Sequence, residues 1–207
     1  MDRVQIKICG VTTIEDAKLC ADFDVDMIGL NFYRQSPRHL EPEEARKIIE
    51  ALPRHIRSVG VFVDANAEQI RTTAKETGIE TVQLHGNAPP EMCRELAGEY
   101  RVIRAFSTGR HFRPENAAAF PDCDSLLDSY DPKLRGGTGL TCDWPAARAT
   151  LPFTRFLILS GGLNAQNVGQ AIAVVRPQAV DVCSAVERTP GVKNHDAIKE
   201  FIAAVRA

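Results

Sequence analysis

The chain has no charge excess: Lys and Arg number 25 against 27 Asp and Glu, a formal net charge of -2. A nucleic-acid partner would require a basic field, so none is expected. No apolar run is long enough to span a bilayer. Met1-Asp2-Arg3 leads into a strand-like segment without a signal-peptide pattern. No membrane partner is therefore expected, and the expected location is cytoplasmic. No C-x-x-C occurs, and no Cys/His set has zinc-like spacing, so no metal is expected. The six cysteines, at 9, 20, 93, 123, 142 and 183, are scattered along a chain too large to need disulfide staples. They are read as reduced thiols. No G-x-G-x-x-G follows any strand-like run, which speaks against a doubly wound nucleotide-binding sheet. What is there is an ordinary globular composition, 44% hydrophobic and 25% charged over 207 residues.

Short apolar runs alternate with helix-like segments throughout. Strands are expected over 4–9, 27–32, 58–63, 81–85, 101–106, 125–128, 156–160 and 179–183. Helices are expected from Thr13 to about 22, over 43–52 and 67–77, from Pro89, near 114–120, over 144–150, from Asn164 to 175, and over 195–205. This alternation predicts a parallel sheet. Eight units in a chain of this length predict an α/β fold of one domain over 1–207, a (β/α)8 TIM barrel of eight parallel strands. The strand ends are evenly spaced except after the second and sixth strands, each of which carries about ten extra residues. In a barrel those loops overhang the catalytic end. They contain Ser36-Pro37-Arg38 and Gly136-Gly137-Thr138-Gly139.

The first strand sets the chemistry. Val4, Ile6 and Ile8 alternate with Gln5, Lys7 and Cys9, so one face is aliphatic and the other ends in an ammonium and a thiol. The expected inward positions at the other strand tips are Asn31, Asp64, His85, Asp128, Ser160 and either Asp181 or Cys183. Polar residues gathered at one barrel end make a site. Strands seven and eight are each followed by a small-residue turn, Ser160-Gly161-Gly162-Leu163-Asn164 and Cys183-Ser184-Ala185-Val186-Glu187. Those two loops form the usual phosphate site of barrel enzymes, where glycine lets backbone N–H groups approach an anion. Arg38 on the overhanging loop could fork onto a carboxylate. The residues thus predict a phosphorylated small-molecule substrate, with a thiol and a carboxyl for acid–base work.

The motifs Lys7-Ile8-Cys9-Gly10-Val11-Thr12, Ser36-Pro37-Arg38, Gln83-Leu84-His85-Gly86, Leu127-Asp128-Ser129, Gly136-Gly137-Thr138-Gly139, Asp143-Trp144, Ser160-Gly161-Gly162-Leu163 and Val180-Asp181-Val182 closely resemble those of the phosphoribosylanthranilate isomerase family of tryptophan biosynthesis. The resemblance spans the chain and keeps the motif order. It implies a cofactor-free Amadori rearrangement of N-(5-phosphoribosyl)anthranilate to 1-(2-carboxyphenylamino)-1-deoxyribulose 5-phosphate. Carried over, Asp128 is the general acid and Cys9 the general base. Arg38 faces the anthranilate carboxylate, and backbone amides near Gly162 and Ser184 hold the phosphate. Lys7, His85, Gly137, Gly161, Asp181 and Ala185 complete the expected substrate site. Cys183 and Ala185 stand where Ser and Gly are usual, and Leu140 and Cys142 where Lys and Phe are common. A related aldose–ketose phosphosugar isomerase of histidine biosynthesis, or a non-catalytic phosphosugar-binding barrel, stays open as an alternative. So do a monomer and a homodimer.

Overall fold

The computed structural model describes residues 3–109, 112–129 and 142–207. Eight strands, β1 (Gln5–Cys9), β2 (Met27–Asn31), β3 (Arg57–Val63), β4 (Thr81–His85), β5 (Arg101–Ser107), β6 (Asp124–Asp128), β7 (Leu157–Leu159) and β8 (Ala179–Val182), form a closed barrel in sequence order. Every neighbouring pair is parallel, and β8 closes on β1 with Lys7 opposite Asp181. Between them run α1 (Ile14–Asp22), α2 (Pro42–Glu50), α3 (Ala67–Thr77), α4 (Pro90–Ala97), α5 (Trp144–Thr150) and α6 (Val168–Val175), with α7 (His195–Arg206) last. Local chemistry sets the helix ends. Thr13 accepts from the Asp16 N–H at 3.1 Å to open α1. Asn66 and Gln69 form a capping box on α3, and Gly78, at φ +80°, ends it.

The alternation of the strands divides the barrel into layers. Ile6, Ile8, Ile28 and Leu30 point outward and pack against the helices. Met27, Val59, Ile103, Ala105, Leu126, Ile158 and Ala179 point inward and fill the middle of the barrel. Polar inward residues lie on either side of this plug. At the N-terminal end the buried Asp124 carboxylate accepts from Arg101 Nε at 2.5 Å and Arg155 Nε at 3.0 Å. Lys7, Gln83 and Asp181 lie at the other end, under the tips of the strands.

Four details depart from the sequence reading. Residues 114–120 hold only a 3-10 turn (Pro114–Ala119), in keeping with their weak periodicity. Asn164 does not cap a helix directly. It accepts from the N–H groups of Gln166 and Asn167, and α6 starts at Val168. Asp64 is not an inward tip. β3 ends at Val63, and Asp64, at φ +52°, turns its carboxylate back to the Asn87 N–H at 2.8 Å. Beyond β8 a 3-10 turn (Ser184–Val186) leads into a small hairpin, β9 (Glu187–Thr189) and β10 (Val192–Lys193). Its strands are too short to show an alternation.

The Asp124 cluster is a structural device at the end of the barrel that carries stability rather than chemistry. Asp124→Asn removes the charge from two ionic hydrogen bonds and should lower the unfolding free energy by about 1–3 kcal/mol. Urea titration reads this as a lower midpoint at unchanged slope. An unchanged midpoint would mean that the two arginines contribute nothing net.

Candidate functional site

A cavity of about 750 Å³ opens at the C-terminal ends of the strands, within the size range of small-molecule sites. Cys9, Arg38, His85, Asp128, Gly161, Gly162, Asp181, Ser184 and Ala185 all line it. The sequence reading thus brings nine of its candidates together. Lys7 lies under the cavity floor, with no exposed surface. Gly137 and Leu140 fall outside the described residues.

The floor is ionic. Lys7 Nζ donates to Asp181 Oδ1 at 2.9 Å, and Ser160 Oγ donates to Asp181 Oδ2 at 3.1 Å. Cys9 is the next inward residue of β1, one step above Lys7. Gly29 on β2 makes room for both. A Cβ there would stand 2.7 Å from Cys9 Sγ and 3.1 Å from Lys7 Nζ, so only glycine leaves the thiol and the ammonium side by side.

The surroundings move the titrating groups toward each other. The neighbouring Cys183 thiol, with the charges of Lys7 and Lys193, lowers the Cys9 thiol to about 7, against burial and Asp181. Burial and the Asp181 charge raise Asp128 to about 6, against the Ser129 N–H and Lys7. Burial, with Lys7 and Arg104, lowers His85 to about 4, so its ring is neutral near pH 7. Its Nε2 lies 2.7 Å from the Gln83 side-chain amide.

Arg38 forks onto a carboxylate of its own chain. Its Nε and one terminal nitrogen donate to Glu187 Oε1 and Oε2 at 2.8 and 2.6 Å. Arg38 also lines the cavity. Gly10, at φ +70°, allows this arrangement, since a Cβ there would lie 2.5 Å from Arg38 Cδ. Glu187 also accepts from Lys193 Nζ at 2.9 Å, and Lys193 Nζ donates to the Cys9 carbonyl at 2.5 Å. Both side chains are buried. The sequence reading missed Glu187 and Lys193. The available signal was the Pro190-Gly191 turn, which folds Lys193 back beside Glu187.

Gly161 and Gly162 sit at φ +84° and +65° at the end of β7, and a Cβ on Gly161 would collide with the Ser129 backbone. The turn Ser184–Val186 follows β8. The first N–H groups of such a turn have no partner within it, and Ser184 and Ala185 line the cavity. Among the described residues, no three His, Cys, Asp or Glu side chains are grouped to hold a metal. No helix among them is long and apolar enough to cross a membrane.

Comparison with known proteins agrees with this geometry. The family model described as N-(5'phosphoribosyl)anthranilate (PRA) isomerase matches residues 6–204. A relative from Thermotoga maritima named N-(5'-phosphoribosyl)anthranilate isomerase is 44% identical over 199 residues, 96% of this chain and 97% of its own. One of the same name from Acidithiobacillus ferrooxidans is 42% identical over 207 residues, covering 100% and 99%. The crystal structure of phosphoribosyl anthranilate isomerase from Thermotoga maritima superposes with a TM-score of 0.92 at 42% identity, covering 98% of each chain. A structure of phosphoribosyl anthranilate isomerase in complex with reduced 1-(o-carboxyphenylamino)-1-deoxyribulose 5-phosphate superposes at 0.88 with 40% identity and the same coverage. A motif order that runs the length of the chain, a barrel that superposes end to end and a family match over nearly every residue lead to one assignment: this chain belongs to the N-(5'-phosphoribosyl)anthranilate isomerase family.

Proposed function

We propose that the chain catalyses the Amadori rearrangement of N-(5-phosphoribosyl)anthranilate to 1-(2-carboxyphenylamino)-1-deoxyribulose 5-phosphate, with Asp128 as general acid and Cys9 as general base. The protonated Asp128 carboxyl gives its proton to the ribose ring oxygen. The C1–O bond breaks as the anthranilate nitrogen donates its lone pair, leaving an open-chain Schiff base. The Cys9 thiolate then takes the proton from C2, and the resulting enolamine tautomerises to the ketone. No electron carrier takes part. All of the chain acts as one domain, and a diffusible phosphorylated substrate with reduced thiols fits a cytoplasmic enzyme.

The observation that carries this reading is the placement of Cys9 and Asp128 at two strand tips around one cavity, where the surroundings push the thiol down and the carboxyl up. Free cysteine and aspartate titrate near ~8.5 and ~3.9, so the arrangement of thiolate plus carboxylic acid would cost about 6 kcal/mol. Lowering the thiol and raising the carboxyl narrows that gap. The histidine-pathway alternative would pair two carboxylates, where this chain has a thiol on β1. A mere binder would have no use for a carboxyl whose titration is pushed up toward neutral pH in a cavity.

Expected outcomes follow from each part of the site. kcat/KM should be bell-shaped in pH, with its maximum between the values of the two groups. It falls below about 6 as the pair becomes doubly protonated and above about 7 as it loses its last proton, because thiolate with carboxylic acid is one of the two singly protonated forms. Lys7→Met should raise the thiol pKa, read from thiolate ultraviolet absorbance against a Cys9→Ala blank. A thiol that titrates near the free value in both wild type and Lys7→Met would remove Lys7 from this role.

Arg38→Met should raise KM by about 10–150-fold, the equivalent of about 1.5–3 kcal/mol for a hydrogen bond to a charge. Glu187→Gln should raise it less while kcat holds, because Arg38 is then held less firmly. Unchanged KM values in both would place the anthranilate carboxylate elsewhere.

Inorganic phosphate at millimolar concentration should compete with substrate and raise the melting temperature, since it would bind the native state alone. Neither effect would be expected if the turns at Gly162 and Ser184 do not hold an anion.

A further inference from the structure

Cys183 is a nucleophilic cavity side chain that the mechanism does not use. Cys183 stands beside Cys9 at the tip of the adjacent strand. Ile8 pairs with Val182 in the β1–β8 register, so the next residues on each side are these two cysteines. Neighbouring strands run about 4.7–4.9 Å apart, inside the range of about 4.4–6.8 Å between Cα atoms that a disulfide accepts. Both side chains line the same cavity. They are the partly exposed cysteines of the chain, and Cys20, Cys93, Cys123 and Cys142 are buried. The Cys183 sulfur leans toward β1, 3.2 Å from where a Cβ on Gly10 would lie. Its thiol donates to Glu187 Oε1, at 3.9 Å.

We propose that Cys9 and Cys183 form a modification site, a strand-tip dithiol that hydroperoxides convert reversibly to a disulfide. The cavity admits so small an oxidant. Cys9 is the attacking thiol. Cation-flanked, accessible thiolates with a resolving cysteine nearby are the ones that enter reversible oxidation. In the first step the Cys9 sulfur attacks one peroxide oxygen. An S–O bond forms, the O–O bond breaks, and the leaving oxygen departs as water or an alcohol with the thiol's proton. Cys9 is then a sulfenic acid. In the second step the Cys183 sulfur attacks the Cys9 sulfur. The S–S bond forms, the S–O bond breaks, and hydroxide leaves with the Cys183 proton as water. Two thiols have been oxidised by two electrons and one peroxide reduced. A small dithiol reverses the bond by exchange. The modification removes the thiolate, so loss of turnover is expected as well, and that part alone rests on Cys9 being the base.

The test treats the purified chain with hydrogen peroxide, blocks remaining thiols by alkylation, and follows mass, tryptic peptides and activity. The expected product has lost two hydrogen masses and carries a cross-link between the peptides spanning 8–18 and 156–188. Activity falls in proportion to the cross-link and returns with dithiothreitol. In Cys183→Ser, measured against its own untreated rate, no cross-link forms. Cys9 runs on to the sulfinic acid, and dithiothreitol restores nothing. Wild-type protein that gives Cys9 sulfinic acid without the cross-link, or a cross-link only between the peptides of Cys93 and Cys123, overturns the proposal. A Cys9–Cys183 cross-link that forms with activity intact supports the dithiol and overturns Cys9 as the base.

Discussion

The ion pair of Lys7 and Asp181 is the interaction on which the active end of the barrel depends. Removing two charges from water is costly unless the partners are well placed and their remaining valences are met. Here Ser160 takes the second carboxylate oxygen, and Gly29 leaves room for the ammonium. The pair then acts at both ends. Its cation lies under the thiol and its anion faces Asp128. A neutral floor of the same shape would pack equally well, but burial alone would raise both acids together.

A second charge network holds the rim. Glu187 gathers Arg38 and Lys193, and Lys193 reaches the Cys9 carbonyl. One carboxylate thereby joins the loop after β2, the hairpin after β8 and the tip of β1. Such a network keeps a ligand-facing guanidinium in one geometry before a ligand arrives, which reduces the ordering cost of binding. The β9–β10 hairpin is too small to be stable alone. It is held by these bonds and by Thr12 Oγ1, which donates to the Gly191 carbonyl at 2.6 Å.

The barrel was legible in the sequence because a repeated unit imposes a period, and every strand recurs within two residues of its expected place. The tips Cys9, His85 and Asp128 were legible because polar residues ended otherwise aliphatic runs. Asp64 was misread by the same logic. It also follows an aliphatic run, but one residue later, where the period of two reverses its side and a left-handed turn redirects it. The bonds from Glu187 to Arg38 and from Lys193 to Cys9 were not legible, because those partners are about 150 residues or more away in the chain. No local pattern encodes such a pairing. Asn164 was read as a cap because Asx turns and helix caps use the same side chain for the same kind of bond.

The apolar plug between the two polar ends of the barrel has an evolutionary consequence. Met27, Val59, Leu126 and Ile158 separate the Asp124 cluster from the Lys7–Asp181 floor, and sites without shared partners respond to substitution nearly independently. Lineages of such a barrel can therefore adapt to heat at one mouth while the other drifts toward new substrates. Neither history need constrain the other.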